Sequence, residues 1–308
     1  MKGRSENSNQ NNDAYAEARP LFKDKSRRVK RKRAWELDFF RGLAVLAMCF
    51  DHTMADFTGI HRWFSNYWKV GNPFIDNMRV FALSYWNSSK NYTSGFRFWG
   101  HVVFIFIFLF LVGVSCAFSR DNARRGAEVT VASAVFTGIT FWILKPMGFM
   151  TYGVVFGILQ CIAMSILICA AVDNITKFNK YVNLFAPLVI GTIILSFAIY
   201  KHAWIGPPSD ARYGFTFEHF SGYVLGTYRY GDDWFGLFPY IGFVFMGMFF
   251  GKAAYPTRES LLPRLDGKWN KPFCFIGRHA LLCYFIHQII IAGIIIITCL
   301  CMGYELAF

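Results

Sequence analysis

Charge is scarce in this chain. Asp, Glu, Lys and Arg supply only 17% of its 308 residues, against 55% hydrophobic residues and a mean hydropathy of +0.32. Soluble domains carry about 25% charged residues, so the composition excludes that class and fits a protein with several membrane spans. Cys-x-x-Cys is missing too. The eight cysteines (Cys49, Cys116, Cys161, Cys169, Cys274, Cys283, Cys299 and Cys301) stand within or beside apolar runs. That spread excludes a disulfide framework and a thiolate zinc site, and reads as buried reduced thiols. No small-residue cleavage site follows the first apolar run, so a removable signal peptide is not expected. Internal repeats and low-complexity segments are absent beyond the first 34 residues.

Acidic residues are few, 19 against 32 basic ones, for a net charge of +13. Eleven of the Lys and Arg fall in residues 1–34, ending in Lys25-Ser-Arg-Arg-Val-Lys-Arg-Lys-Arg33. A basic block directly before the first span reads as a cytoplasmic anchor on anionic lipid, not as a nucleic-acid surface. Rich in Asn, Ser and charge, residues 1–34 are expected to be a disordered cytoplasmic tail. Residues 35–308 form a single transmembrane domain in this reading.

What is present in quantity is apolar sequence. Seven runs are long enough to cross about 30 Å of hydrocarbon: 35–56, 98–119, 127–147, 150–172, 182–203, 234–254 and 279–302. The expected fold is an all-α polytopic bundle of about seven spans, within a range of six to eight. With the N-terminus in the cytoplasm, the tail and inner loops hold 22 Lys and Arg, and the outer segments hold 9. This asymmetry follows the positive-inside rule, and the expected location is the plasma membrane. Outer segments 61–97 and 204–233 are rich in Trp, Tyr and Phe. They read either as an interfacial aromatic belt or as a sugar-stacking vestibule that includes Trp86 and Asn87. Asn87-Ser-Ser and Asn91-Tyr-Thr match glycosylation acceptors and point to a surface loop. Gly242 to Gly251 offers small residues for helix packing, and Gln160 is expected to tie helices together.

The first span holds the sharpest signal: Trp35-Glu-Leu-Asp-Phe-Phe-Arg-Gly-Leu-Ala-Val-Leu-Ala-Met-Cys-Phe-Asp-His52. Eleven helical steps of about 100° return Arg41 and His52 to one face, about 16 Å apart along the axis. Asp38 joins that face one turn before Arg41. Ionisable groups on an apolar helix usually face a bundle interior and mark function. The last span adds Arg278 and His279 at its start and His287 and Gln288 about 12 Å further on. Cations toward the cytoplasm suit the phosphates of an anionic donor. An imidazole displaced outward suits chemistry on an acceptor at the far side. His279, Cys283 and His287 recur every four residues, but about 40° of drift per step and the lack of a carboxylate argue against zinc. No metal site is expected. Arg278 as a snorkelling cation, and His287 with Gln288 as interhelical glue, stay open as structural readings. His101 is read as interfacial.

These residues carry a resemblance. Leu37-Asp-Phe-Phe-Arg-Gly-Leu-Ala-Val-Leu-Ala-Met is similar to the opening D-x-x-R-G-x-A-x-x-x-M of the heparan-alpha-glucosaminide N-acetyltransferase catalytic-domain family, within the transmembrane acyltransferase superfamily. Arg41-x10-His52 is similar to the Arg-x10-His of integral-membrane sugar O-acetyltransferases. Gly157-Ile-Leu-Gln-Cys-Ile-Ala resembles that first family's G-x-L-Q-R-I-A. Asp233-Trp-Phe-Gly-Leu-Phe-Pro-Tyr-Ile-Gly, followed by Met-Gly-Met-Phe-Phe-Gly251, resembles its P-W-x-G segment. Gly277-Arg-His-Ala-Leu-Leu-Cys-Tyr-Phe-Ile-His-Gln resembles its terminal G-R-x-S-L-x-Y-x-x-H-Q. The motifs run in order from about 35 to 290. Two departures concern the chemistry. The lysosomal enzyme carries Asn where this chain has His52, and its His before a Trp-Asn segment has no counterpart in Ser84-Tyr-Trp-Asn87. The acidic residue the family carries at the start of span two is also missing near His101.

The resemblance implies an acyltransferase that moves an acyl group, expected to be acetyl, from cytosolic acyl-CoA to a sugar hydroxyl or amine outside. Under it His52 is the general base or acyl carrier, and Asp38 orients Arg41. Arg41, Arg278 and His279 hold the donor. His287, Gln288, Trp86 and Asn87 meet the acceptor. Expected partners are membrane lipids, a glycan or sugar acceptor and a second copy of the chain as a homodimer, with no nucleic acid. The alternative is a small transporter or flippase with an intramembrane Arg/His pathway.

Overall fold

The computed structural model describes residues 34–87, 95–146, 153–200, 216–231 and 233–307. The expected disorder of the tail, the Asn91 acceptor and residues 204–215 of the aromatic stretch 204–233 lie outside the described residues. Apolar runs with so few charges can satisfy backbone N–H and C=O groups in hydrocarbon only by coiling on themselves. Among the described residues the architecture is accordingly helical, with no strand beyond one isolated bridge.

The helices are α1 (Trp35–Gly59), α2 (Tyr67–Val70), α3 (Pro73–Asn87), α4 (Phe96–Phe118), α5 (Asn122–Ile139), α6 (Ile158–Thr176), α7 (Lys180–Tyr200), α8 (Phe220–Leu225), α9 (Leu237–Ala254), α10 (Lys271–Arg278) and α11 (Ala280–Cys301). Seven of them are long and apolar enough to span a membrane: α1 with its 3-10 extension to Arg62, α4, α5 with a π turn to Leu144, α6, α7, α9 and α11. The seven runs anticipated from hydropathy are these seven helices.

Their limits differ in one informative place. Hydropathy starts the fourth span near 150, but α6 begins at Ile158. Residues 153–157 are non-helical and largely buried, with Val154 1% and Phe156 6% exposed. Phe235 N–H donates to the Phe156 carbonyl at 3.1 Å, and Gly231 lies against the Gly153 carbonyl. Two non-helical segments therefore meet inside the bundle through one backbone hydrogen bond, and Val154 N–H donates to Thr140 Oγ1 at 3.1 Å, partners of the kind irregular chain needs at that depth. Hydropathy cannot see this, because the paired residues are as apolar as a helix.

α1 and α11 run in the same direction. His52 pairs with His287 and Asp56 with Gln288, and Phe57 and Ile60 share a core cluster with Ile295 and Cys299. The partners ascend together, as the first and seventh of seven spans must. Beyond α11 the chain folds back on the end of α1, where Ser65 N–H donates to Glu305 O and Ala307 N–H to Trp63 O, each at 2.9 Å.

Two crossings are closed by glycine. A Cβ on Gly113 of α4 would overlap the Val244 carbonyl of α9, and one on Gly247 would overlap the Phe110 carbonyl. The Gly242–Gly251 run is thus a packing face, with Gly247 and Gly251 on α4 and Gly242 on α7. At the second crossing Gly42 meets the Phe273 carbonyl and Gly277 meets the Asp38 carbonyl. This seats the short amphipathic helix α10 on the first half of α1. Gln160 ties α6 to α5, donating to Ser133 O at 3.2 Å and Thr137 Oγ1 at 2.7 Å.

Gly277→Val should cost about 3 kcal/mol or more, because the new side chain meets backbone that cannot rotate away. Gly293→Ala, with open space around it, should leave stability unchanged or slightly higher. Thermal unfolding midpoints of the two variants in detergent compare them directly; equal midpoints would refute the crossing.

Candidate functional site

The polar stripe of α1 is satisfied along its whole length by other elements. At its start Arg41 Nη1 pairs with Asp38 Oδ1 at 2.9 Å, and Nη2 donates to Ser115 Oγ of α4, also at 2.9 Å. The Ser115 hydroxyl donates onward to the Leu111 carbonyl at 2.8 Å. Pairing an acid with the guanidinium three residues later makes the unit neutral, which lowers the cost of holding it on an apolar helix. Gly277 touches the Asp38 carbonyl, so Arg278 and His279 follow immediately at the same end of the bundle. Both are exposed. Arg278 Nε donates to the Cys274 carbonyl at 3.0 Å, and the His279 ring rests 4.8 Å from that of Phe275.

Eleven residues on, His52 meets the last span. Its Nδ1 lies 2.7 Å from Nε2 of His287, and Nδ1 of His287 lies 2.7 Å from the Tyr284 carbonyl. The ring centroids are 4.9 Å apart at an interplanar angle of 19°. A nitrogen contact that short between nearly coplanar rings has them edge to edge, with nitrogen aimed at nitrogen. One turn further, the Gln288 amide donates to both carboxylate oxygens of Asp56 at 2.9 Å. Arg41 faces α4 and His52 faces α11. Their common stripe therefore looks into the crease between those two helices.

Asp51 is turned about 100° from His52 and builds a second group with α3 and α4. Arg97 Nε and Nη2 reach its two oxygens at 2.9 and 3.1 Å, and Tyr85 O–H donates to Oδ1 at 2.9 Å. Burial, and then the Asp51 carboxylate, raise the Tyr85 phenol above its ordinary value, so it stays a donor. The Arg97 guanidinium lies 3.5 Å over the Trp86 ring, a desolvated cation–π contact. Trp86 thus carries Arg97 on one face, while Asn87 ends α3 in an exposed position. His101, one turn along α4 from Arg97, is an electrostatic neighbour of both His52 and Asp51. Its side chain is exposed, as an interfacial residue's would be, and its ring lies 6.3 Å from that of Phe235.

The non-helical segment before α9 reaches the same region from another side. Tyr284 O–H donates to Asp233 Oδ2 at 3.3 Å, and a Cβ on Gly157, just ahead of α6, would crowd that carboxylate. Tyr284 thereby anchors the backbone turn whose carbonyl engages His287.

The structure brings Asp38 to Arg41, His52 to His287 and Gln288 to the same stripe, and stations Arg278 and His279 at its first end. Sequence reasoning did not find Asp51, Asp56, Tyr85, Arg97, Ser115, Tyr284 or Asp233 as members. Asp51 and Asp56 carried a signal, being adjacent to His52 and one turn beyond it. Arg97 carried one as a lone cation heading an apolar run. Ser115 and Tyr284 look like ordinary helix residues until their partners are known.

Residues 74–289 match the family model described as heparan-alpha-glucosaminide N-acetyltransferase, catalytic. No curated protein and no solved structure matches. The match begins within α3 and ends in α11. It takes in Arg97, Arg278, His279, His287 and Gln288 and leaves α1 outside.

Breaking one side of the Arg97–Asp51 pair should leave the other charge enclosed. Arg97→Leu and Asp51→Asn should each cost about 3 kcal/mol, and the double variant clearly less than their sum. A double-mutant cycle on unfolding free energies measures the coupling, and strict additivity would show that the pair contributes nothing.

Proposed function

The chain belongs to the heparan-alpha-glucosaminide N-acetyltransferase catalytic-domain family, and we propose that it moves an acetyl group from cytosolic acetyl-CoA to a sugar hydroxyl or amine on the outer side. The observation that carries this reading is the stripe of α1. A guanidinium stands at one end and a histidine pair at the other, about 16 Å apart by helix rise. Lys and Arg are concentrated in the tail and in loops 120–126, 173–181 and 252–278, which supports a cytoplasmic N-terminus. The Arg41 end is then the donor side, and the basic tail lies against anionic lipid of the cell membrane.

In this reading Arg278 and His279, exposed at the donor end, meet the phosphates of the coenzyme. Arg41, held by Asp38 and Ser115, meets its polar arm. A cavity of about 390 Å³ lies between α1, α3 and α11, one turn past the histidines, lined by Thr53, Phe57, Ile291 and Ile295 among others. It is almost wholly apolar, so the charged part of the donor belongs at the other end. His52 removes the proton from the acceptor hydroxyl or amine as that oxygen or nitrogen attacks the thioester carbonyl. The carbon–sulfur bond then breaks, and the departing thiolate of the coenzyme takes up a proton. Gln288, Trp86 and Asn87 stand on the side from which the acceptor arrives.

One observation favours transport instead. The adjoining non-helical segments 153–157, 226–231 and 233–236 resemble the interrupted helices that transporters use at their binding sites. A transporter would move its substrate without acyl-CoA and without an acylated product.

Full-length protein in nanodiscs, given labelled acetyl-CoA and a panel of cell-envelope glycans, should yield a labelled glycan. His52→Ala should lower turnover by about 10² to 10⁴-fold with insertion intact, and retained turnover would sink the assignment. Arg41→Leu should weaken acetyl-CoA binding by about tenfold or more, the worth of one charge-assisted hydrogen bond. That loss is readable as a dissociation constant without any acceptor.

A further inference from the structure

The histidine pair decides more than where His52 sits. We infer that His287 is a positioning residue that fixes the tautomer of His52, so that Nε2 of His52 is the reacting nitrogen. This rests on the acyl-transfer reading for its chemistry, but the proton placement follows from hydrogen-bond geometry alone. The Tyr284 carbonyl has no proton to give, so Nδ1 of His287, 2.7 Å away, must carry one. A neutral imidazole holds a single N–H, which leaves Nε2 of His287 with a bare lone pair. That lone pair faces Nδ1 of His52 at 2.7 Å, a distance that needs one proton between the two nitrogens. His52 must supply it from Nδ1. Its own lone pair is thereby assigned to Nε2, on the ring edge away from His287.

The reverse arrangement requires a doubly protonated His287. Its side chain is enclosed, with the residue 8% exposed, and its hydrogen-bond partners here are backbone carbonyls and an imidazole. A buried cation without a carboxylate partner is strongly disfavoured. The carboxylates nearby are otherwise engaged, Asp51 by Arg97 and Tyr85 and Asp56 by Gln288.

Consequences for catalysis follow. When Nε2 of His52 takes the acceptor's proton, the ring becomes an imidazolium whose Nδ1–H already points at the lone pair of His287. No group has to reorient during the step. His287 thus holds His52 in one tautomer and orientation, the positioning part of what a carboxylate does in a hydrolase triad. Tyr284 sets His287 in turn, and its hydroxyl on Asp233 steadies that turn of α11.

The test is full-length protein labelled with ¹⁵N-histidine in nanodiscs, with His52→Gln used to assign the His52 signals. The ¹⁵N shifts should show the proton on Nδ1 and a bare Nε2 in wild type. His287→Leu removes the acceptor. It should give a mixture of tautomers and a kcat lower on the order of 10²-fold, with KM for acetyl-CoA unchanged. His287→Gln returns a side-chain oxygen to the position and should restore the tautomer and most of kcat. A proton on Nε2 of His52 in wild type would overturn the proposal. So would a His287→Leu variant with wild-type tautomer and kcat. Should the protein transfer no acyl group at all, the acyl-transfer reading fails, while the shifts still decide the proton placement.

Discussion

The whole arrangement depends on one constraint: α1 lies among apolar helices yet carries Glu36, Asp38, Arg41, Asp51, His52 and Asp56. An ionisable group in a low-dielectric interior must be paired or it is prohibitively costly. Each therefore recruits a partner. Glu36 accepts from Tyr255, Ser260 and the Leu261 backbone. Asp38 holds Arg41, which reaches Ser115. Asp51 gathers Arg97 and Tyr85, His52 meets His287, and Asp56 accepts from Gln288. Polar pairing along a single helix thus sets which neighbours it has and how they are rotated about it.

Close packing supplies the rest. Glycines at the α4–α9 and α1–α10 crossings let backbones touch, so the neighbours of α1 are held at fixed depth by contacts that do not depend on charge. The two devices act on different parts of the molecule. Glycine contacts make the frame formed by α4 and α9 and seat α10 on α1. Hydrogen-bonded pairs place the functional side chains within that frame. The non-helical segments 153–157 and 233–236 belong to both, because one backbone hydrogen bond joins them and the second delivers Asp233 to Tyr284.

This division gives the stripe its chemical direction. At the Arg41 end the groups are charged and partly open, which is what the proposed donor role relies on. At the His52 end the inferred tautomers give each hydrogen bond a donor and an acceptor, as the proposed proton transfer needs. The family match over 74–289 covers the helices that supply the partners, while α1 supplies the groups they serve. This arrangement requires α1 and α11 to run side by side in the same direction, which seven spans provide.

Much of this was legible in the sequence. Charge scarcity and seven apolar runs determined an all-α membrane bundle, because hydrocarbon leaves the backbone no other way to satisfy itself. Helical periodicity put Asp38, Arg41 and His52 on one face, since a rise and a turn angle are properties of local chain. Glycine spacing announced the packing face of α9. Tertiary structure alone decided that His52 meets His287, 235 residues away, that Trp86 lies under Arg97 and that α6 starts late. Those facts depend on the relative rotation and depth of separate helices. An apolar residue buried in a non-helical segment, or a serine facing a guanidinium, reads the same in sequence as one facing lipid. The identity of each group was written in the chain, and its partner was set by packing.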